Sequence, residues 1–131
     1  MQSYLVIGFG GALGSIARFW FSGFVARHLG DSFPFGTLLV NISGSFIIGC
    51  FAGMTNVEGR FLVSATVRQF FMIGICGGYT TFSSFSLQTL DLMRAGEWLR
   101  ASLNAGASVF LCLLAVWLGH GLGVLIGQMK G

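Results

Sequence analysis

The sequence is poor in charge. Of its 131 residues only 8% are charged, against 54% hydrophobic, and the mean hydropathy is +0.82. A water-soluble domain carries roughly 25% charged residues, so this chain lacks the surface that a globule needs in water. Acidic side chains are scarcest where they would matter most: Asp31, Glu58, Asp91 and Glu97 all fall near the ends of apolar runs. A proton-coupled exporter of the small four-helix type needs a membrane-embedded carboxylate to exchange protons for a cationic substrate. That mechanism is disfavoured here. The one proline, Pro34, stands just ahead of an apolar run, where it starts a helix rather than breaking one. Cys50, Cys76 and Cys112 share no metal-ligand spacing and lie within hydrophobic segments, so they read as small apolar helix residues. The net charge of +3 is spread without a basic cluster, which leaves nucleic-acid binding nothing to rest on.

What is present is apolar length. Four runs are charge-free or nearly so: 1–26, interrupted only by Arg18, then 32–57, 69–90 and 101–129. Each reaches the roughly 20 residues needed to cross about 30 Å of hydrocarbon. The first has no basic leader and no clear cleavage site, so it reads as a spanning helix rather than a signal peptide. We expect an all-α membrane protein, a single four-helix transmembrane domain over 1–131 with helices at about 3–26, 36–54, 65–92 and 99–126. The short connections make sequential helices antiparallel neighbours.

Four spans put both termini on one side, which carries Arg60, Arg68 and Lys130; the other carries Arg27, Arg94 and Arg100. Orientation follows the Lys/Arg difference between short loops, and here the two sides balance. We expect dual topology, with copies inserted both ways up, which suits an antiparallel two-fold homodimer. The alternative is that helix hydrophobicity or a partner fixes one orientation. The 21 glycines recur at small-xxx-small spacing: Gly10/Gly14, Ser45/Gly49/Gly53, Gly74/Gly78, Ser102/Gly106 and Gly119/Gly123/Gly127. In lipid this spacing lets helices pack backbone to backbone. "GFGGALG" misses the dinucleotide-binding spacing and follows no strand, so it carries no nucleotide reading.

Strongly polar side chains in the spans are few: Arg18, Asn41, Asn104 and the hydroxyls of "GGYTTFSSFS" at 77–86. Asparagine amides and hydroxyls are hydrogen-bond donors, which suits an anion. Phe82 and Phe85 stand three apart on one helix face. Their ring edges are positive and suit an anion too, although by spacing alone such a pair is more often lipid or core packing. Glycine and threonine are weak helix formers, so this run suggests a helix broken near its middle. Irregular backbone at membrane depth survives where protein buries it or where it lines water. Its freed carbonyls suit a hard cation such as Na⁺.

The chain resembles the fluoride-specific channels of the Fluc (CrcB) type. "GGALGSIARFW", "PFGTLLVNISGSFIIG" and "GGYTTFSSFS" are similar to the family's three signature segments, in order, and the likeness covers nearly the whole chain. It implies a passive fluoride channel rather than an enzyme, multi-pass in a bacterial inner membrane, exporting cytoplasmic fluoride through two pores per antiparallel homodimer. It also implies a structural Na⁺ on the two-fold axis, held by the backbone carbonyls of Gly77 and Thr80 from each chain. On the fluoride pathway it places Asn41, Thr81, Phe82, Ser83, Ser84 and Phe85, with Asn104, Ser108 and Cys112 from the last helix. Arg18 and Gln88 would stand at a vestibule, while Phe19 and Phe46 lie outside the path. One departure is Gln88, where the family usually carries Glu. Competing functions are a small coupled exporter or H⁺/F⁻ exchanger, and a membrane subunit that transports nothing.

Overall fold

The computed structural model describes residues 1–56 and 61–129, and the regular elements among them are all helical. They are α1 (Gln2–Leu29), α2 (Phe35–Met54), α3 (65–79), α4 (Phe82–Arg94) and α5 (Trp98–Gln128). Together α3 and α4 form the third span, Ala65–Arg94, and all four spans are long and apolar enough to cross a membrane. Glu58, Arg60 and Lys130, counted in the charge pattern, lie outside the described residues.

Helices α1 and α5 run beyond the expected limits, with 28 and 31 residues. At 1.5 Å per residue they are about 42 and 46 Å long, so their end turns reach past a hydrocarbon core of about 30 Å. Arg27 occupies the last turn of α1, where its positive charge suits the helix dipole. Gly30 and Gly96 then turn the chain at φ 80° and 79°.

Little side-chain bulk is buried. Val40 and Asn104 are the largest side chains wholly enclosed, while Phe9, Phe19, Trp20, Phe110 and Trp117 point outward. Backbone approach holds the bundle instead. Helix α2 packs along α5 through Gly49 and Gly53 on one side and Gly119 and Gly123 on the other, each with the facing backbone where a Cβ would lie. Helix α1 meets α3 in the same way: a Cβ on Gly10 would stand 2.6 Å from the Phe70 carbonyl oxygen, and one on Gly78 2.5 Å from that of Gly11. Ser102/Gly106 differs from the other small-residue pairs. Both residues are exposed, and nothing comes within 4 Å of a Cβ at Gly106.

Two features of the third span position everything else. Residues Gln69–Cys76 are wound as a π-helix, a rare winding that clusters at functional sites. The span then breaks, as expected, but not at its glycines. Gly77 is helical (φ −65°, ψ −36°), whereas Thr80 (φ −79°, ψ 158°) and Thr81 (φ −152°, ψ 115°) are extended. The β-branched threonines fit the extended backbone, and the glycines serve close packing. Thr81 restarts the helix as its N-cap, its Oγ1 accepting from the Ser84 N–H at 3.2 Å. Near the start of the span, the Arg68 guanidinium donates to the Thr55 carbonyl (3.0 Å) and hydroxyl (2.9 Å), closing the C-terminal end of α2.

Candidate functional site

A break inside a span frees backbone groups that must find partners. Here neighbouring helices supply them. The Asn41 side chain of α2 lies against Thr81 and makes two bonds: its Oδ1 accepts the Thr81 N–H at 2.8 Å, and its Nδ2 donates to the Thr81 carbonyl at 2.9 Å. Arg18 of α1 donates to the Thr80 carbonyl at 3.4 Å, and Ser15 to the Gly78 carbonyl at 3.5 Å. The Thr80 hydroxyl donates back to the Cys76 carbonyl at 2.9 Å. The Tyr79 hydroxyl meets Ser43 Oγ at 2.9 Å, tying the end of α3 to α2.

Two cavities flank this junction. A polar chamber of about 400 Å³ is lined by Ser15, Arg18, Phe19, Ser22, Thr37, Thr81, Ser84 and Gln88. A more apolar cavity of about 310 Å³ lies beyond the break, walled by Asn41, Thr81, Phe82, Phe85, Ser108 and Cys112, together with Gly77 and Thr80. Thr81 lines both. The Phe82 and Phe85 rings are tilted by 50° with centroids 5.3 Å apart. Phe82 is 77% exposed in the single chain, so its cavity opens at the surface of the bundle.

The structure thus brings most of the expected residues to one junction, and leaves two apart. Ser83 is exposed and lines neither cavity; its hydroxyl lies 3.3 Å from that of Thr81. Asn104 also lines neither: it is 2% exposed, and its amide donates to Thr89 Oγ1 at 2.9 Å. Thr89 in turn donates to the Phe85 carbonyl at 2.7 Å. Asn104 therefore braces the helix that carries Phe85. Arg18 and Gln88, expected at a vestibule, share the polar chamber, and Phe19 joins them instead of standing clear of it.

The sequence reading missed Ser15, Ser22 and Thr37. A signal existed for the first two: Ser15, Arg18 and Ser22 recur at i, i+3 and i+7, one face of a helix. Among the described residues, two buried side-chain oxygens have no hydrogen-bond partner, Gln88 Oε1 and Ser108 Oγ. Each lines one of the two cavities, Gln88 the chamber and Ser108 the cavity beyond the break.

The family model described as "CrcB-like protein, Camphor Resistance (CrcB)" matches residues 5–120. The chain belongs to the CrcB family. Curated relatives agree along the full length. A protein of Methylocella silvestris is 62% identical over 130 residues, covering 99% of both chains. One of Opitutus terrae is 60% identical over 131 residues, covering 100% of this chain and 99% of its own. One of Rhodospirillum rubrum is 56% identical over 127 residues, covering 97% of this chain and 98% of its own. Each is named "Fluoride-specific ion channel FluC", the name of a channel and not of an enzyme. The resemblance drawn from the three sequence segments and this family membership coincide.

Proposed function

We propose that the chain is a passive fluoride channel that lets cytoplasmic fluoride leave the cell across a bacterial inner membrane. The observation that carries this reading is Ser108. Its hydroxyl is buried, has no partner among the described residues, and lines the same cavity as the Phe82 and Phe85 rings. A buried donor without a partner is costly, and an anion supplies the acceptor it lacks. The relatives' names give the anion as fluoride.

The two cavities support a route. An anion gathers in the chamber near the Arg18 guanidinium and the hydroxyls of Ser15, Ser22, Thr37 and Ser84. It passes the break at Thr81, whose hydroxyl is within reach of those of Ser83 and Ser84. Beyond it, Ser108 and the positive ring edges of Phe82 and Phe85 replace lost water. Fluoride is small and strongly hydrated, so closely placed donors suit it, and a narrow apolar bore disfavours larger chloride. Asn41 has one amide hydrogen left after its pair with Thr81, and that hydrogen is available to the ion. Fluoride enters cells as neutral HF and ionises inside; a membrane potential negative inside then drives the anion out, so no energy-coupling motif is needed.

The cavity walled by Phe82 and Gly77 is open on the bundle surface, and a second copy of the chain closes it in an antiparallel dimer with two pores. The carbonyls of Gly77 and Thr80 fit a Na⁺ in their chemistry, because hard oxygens at the exposed edge of a break are the ligands such a cation takes. Two from each chain would hold it, and the bound ion supplies positive charge between the pores. Fluoride efflux from liposomes tests the reading. Electrogenic efflux without added protons supports the channel, a strict proton requirement would indicate an exchanger, and silence a non-transporting subunit. Terminal tags found on both faces of the membrane support dual insertion; tags on one face only would overturn it.

A further inference from the structure

The chamber around Arg18 does not end at Gln88. It continues into a wider cleft of about 550 Å³ between the end of α1, the 30–34 connection, the start of α2 and the end of α4. Phe19, Ser22, Thr37 and Gln88 line both spaces, so the cleft is the mouth of the chamber. Charge in this mouth is one-sided. Asp31 and Asp91 line it, and no Lys or Arg among the described residues does. The arginines of the same end contribute no side chain to the lining, although Arg100 is held at its edge through Ser32, a lining residue. Arg100 lies 3.7 Å from Glu97 and donates to the Ser32 carbonyl, while Arg27 and Arg94 are exposed outside the lining. An anion that enters through this cleft passes two carboxylates on its way to Arg18, and carboxylates offer it no donor.

We propose that Asp31 and Asp91 form an electrostatic brake at the mouth of the chamber, setting how fast an anion reaches Arg18. The proposal rests on the anion-channel reading and adds a rate-setting pair outside the pore. A carboxylate about 10 Å away through water changes the local concentration of an anion roughly twofold, and salt screens the effect over a similar distance at 0.1 M. Two such groups act together, so the pair is worth about fourfold unscreened and about threefold at roughly 10 mM salt, where the screening length is about 30 Å.

The test uses the full chain in liposomes, with fluoride well below saturation. Asp31→Asn combined with Asp91→Asn should raise initial fluoride efflux about threefold at roughly 10 mM ionic strength, and the gain should vanish near 1 M. Equal efflux at low salt, or a gain that survives high salt, would overturn the brake. A second readout needs no fluoride. With Ser22→Cys as a reporter in the chamber, and the chain without it as background for the native thiols, a cationic methanethiosulfonate should outpace an anionic one. Neutralising both aspartates should reduce that preference several-fold; an unchanged ratio overturns the proposal. If the unaltered chain carries no fluoride, the channel reading fails while the thiol ratio still decides the brake.

Discussion

Asn41 faces Thr81 as one peptide group faces another in a sheet, giving an acceptor to its N–H at 2.8 Å and a donor to its carbonyl at 2.9 Å. The pair closes the break in the third span with a side chain from a different helix. Asn41→Leu keeps similar bulk but strands both Thr81 groups, and Thr81 is 8% exposed. An unsatisfied buried group costs about 1–3 kcal/mol, so stranding two should cost roughly 2–6 kcal/mol of unfolding stability. Asn41→Asp should fail differently: it still accepts from the N–H but sets a carboxylate against the Thr81 carbonyl. Thermal unfolding in detergent, read beside fluoride efflux, measures both. Normal stability in Asn41→Leu would mean that the break holds without the pair.

The glycine stripes make a graded prediction. A Cβ on Gly10 would meet the Phe70 carbonyl oxygen at 2.6 Å, and backbone cannot yield cheaply. Gly106 has open space around it, and alanine is favoured over glycine in a helix by about 1 kcal/mol. Gly10→Ala should therefore lower the unfolding temperature, while Gly106→Ala should leave it level or raise it. Should Gly106→Ala instead weaken the dimer alone, the exposed Ser102/Gly106 face is where a second copy packs.

Much of this architecture was legible because lipid leaves few choices. Long charge-free runs can only be spans, and the crowding of polar side chains in 77–86 marks a break. The position of the break was less legible. Glycine is the poorest common helix former in water, yet Gly77 stays helical and Gly78 packs on Gly11, so the extended residues are Thr80 and Thr81. The π-helical winding at Gln69–Cys76 left no periodic trace in the sequence. In this stretch the carbonyls of Phe70 and Ile75 meet Gly10 and Gly14, a tertiary fit that local composition does not encode. Asn104 was expected on the ion route from the family resemblance. Its partner Thr89 becomes visible only once α4 and α5 are set in register.

Removal of Na⁺ separates a structural cation from a bystander. Gly77 and Thr80 line the same cavity, and Arg18 already donates to the Thr80 carbonyl at 3.4 Å. That carbonyl has a second lone pair for a cation. Replacing Na⁺ on both sides by a large organic cation should reduce fluoride efflux or dimer stability at an unchanged driving force. Equal efflux and equal stability in thoroughly Na⁺-free solution would remove the ion from the proposed function.

The phenylalanine pair decides whether the aromatic rings act on the ion or only fill space. Phe82 and Phe85 wall the cavity that holds the unpartnered Ser108 hydroxyl, and Phe82 is 77% exposed. Exposure that high means the single chain gains little stability from its burial. Phe→Ile keeps an apolar side chain and removes the positive ring edge. If the rings only pack, each change should cost about 1.5 kcal/mol or less and leave efflux intact. If they line the path, Phe82→Ile or Phe85→Ile should cut fluoride efflux at least tenfold, a barrier increase of about 1.4 kcal/mol or more, in protein that still forms dimers. Phe46 is the fitting control, because it lines a separate apolar groove with Leu39, Ile42 and Leu114, whereas Phe19 borders the chamber. Unaltered efflux in both pore variants, with normal assembly, would leave Ser108 to stabilise the anion without them.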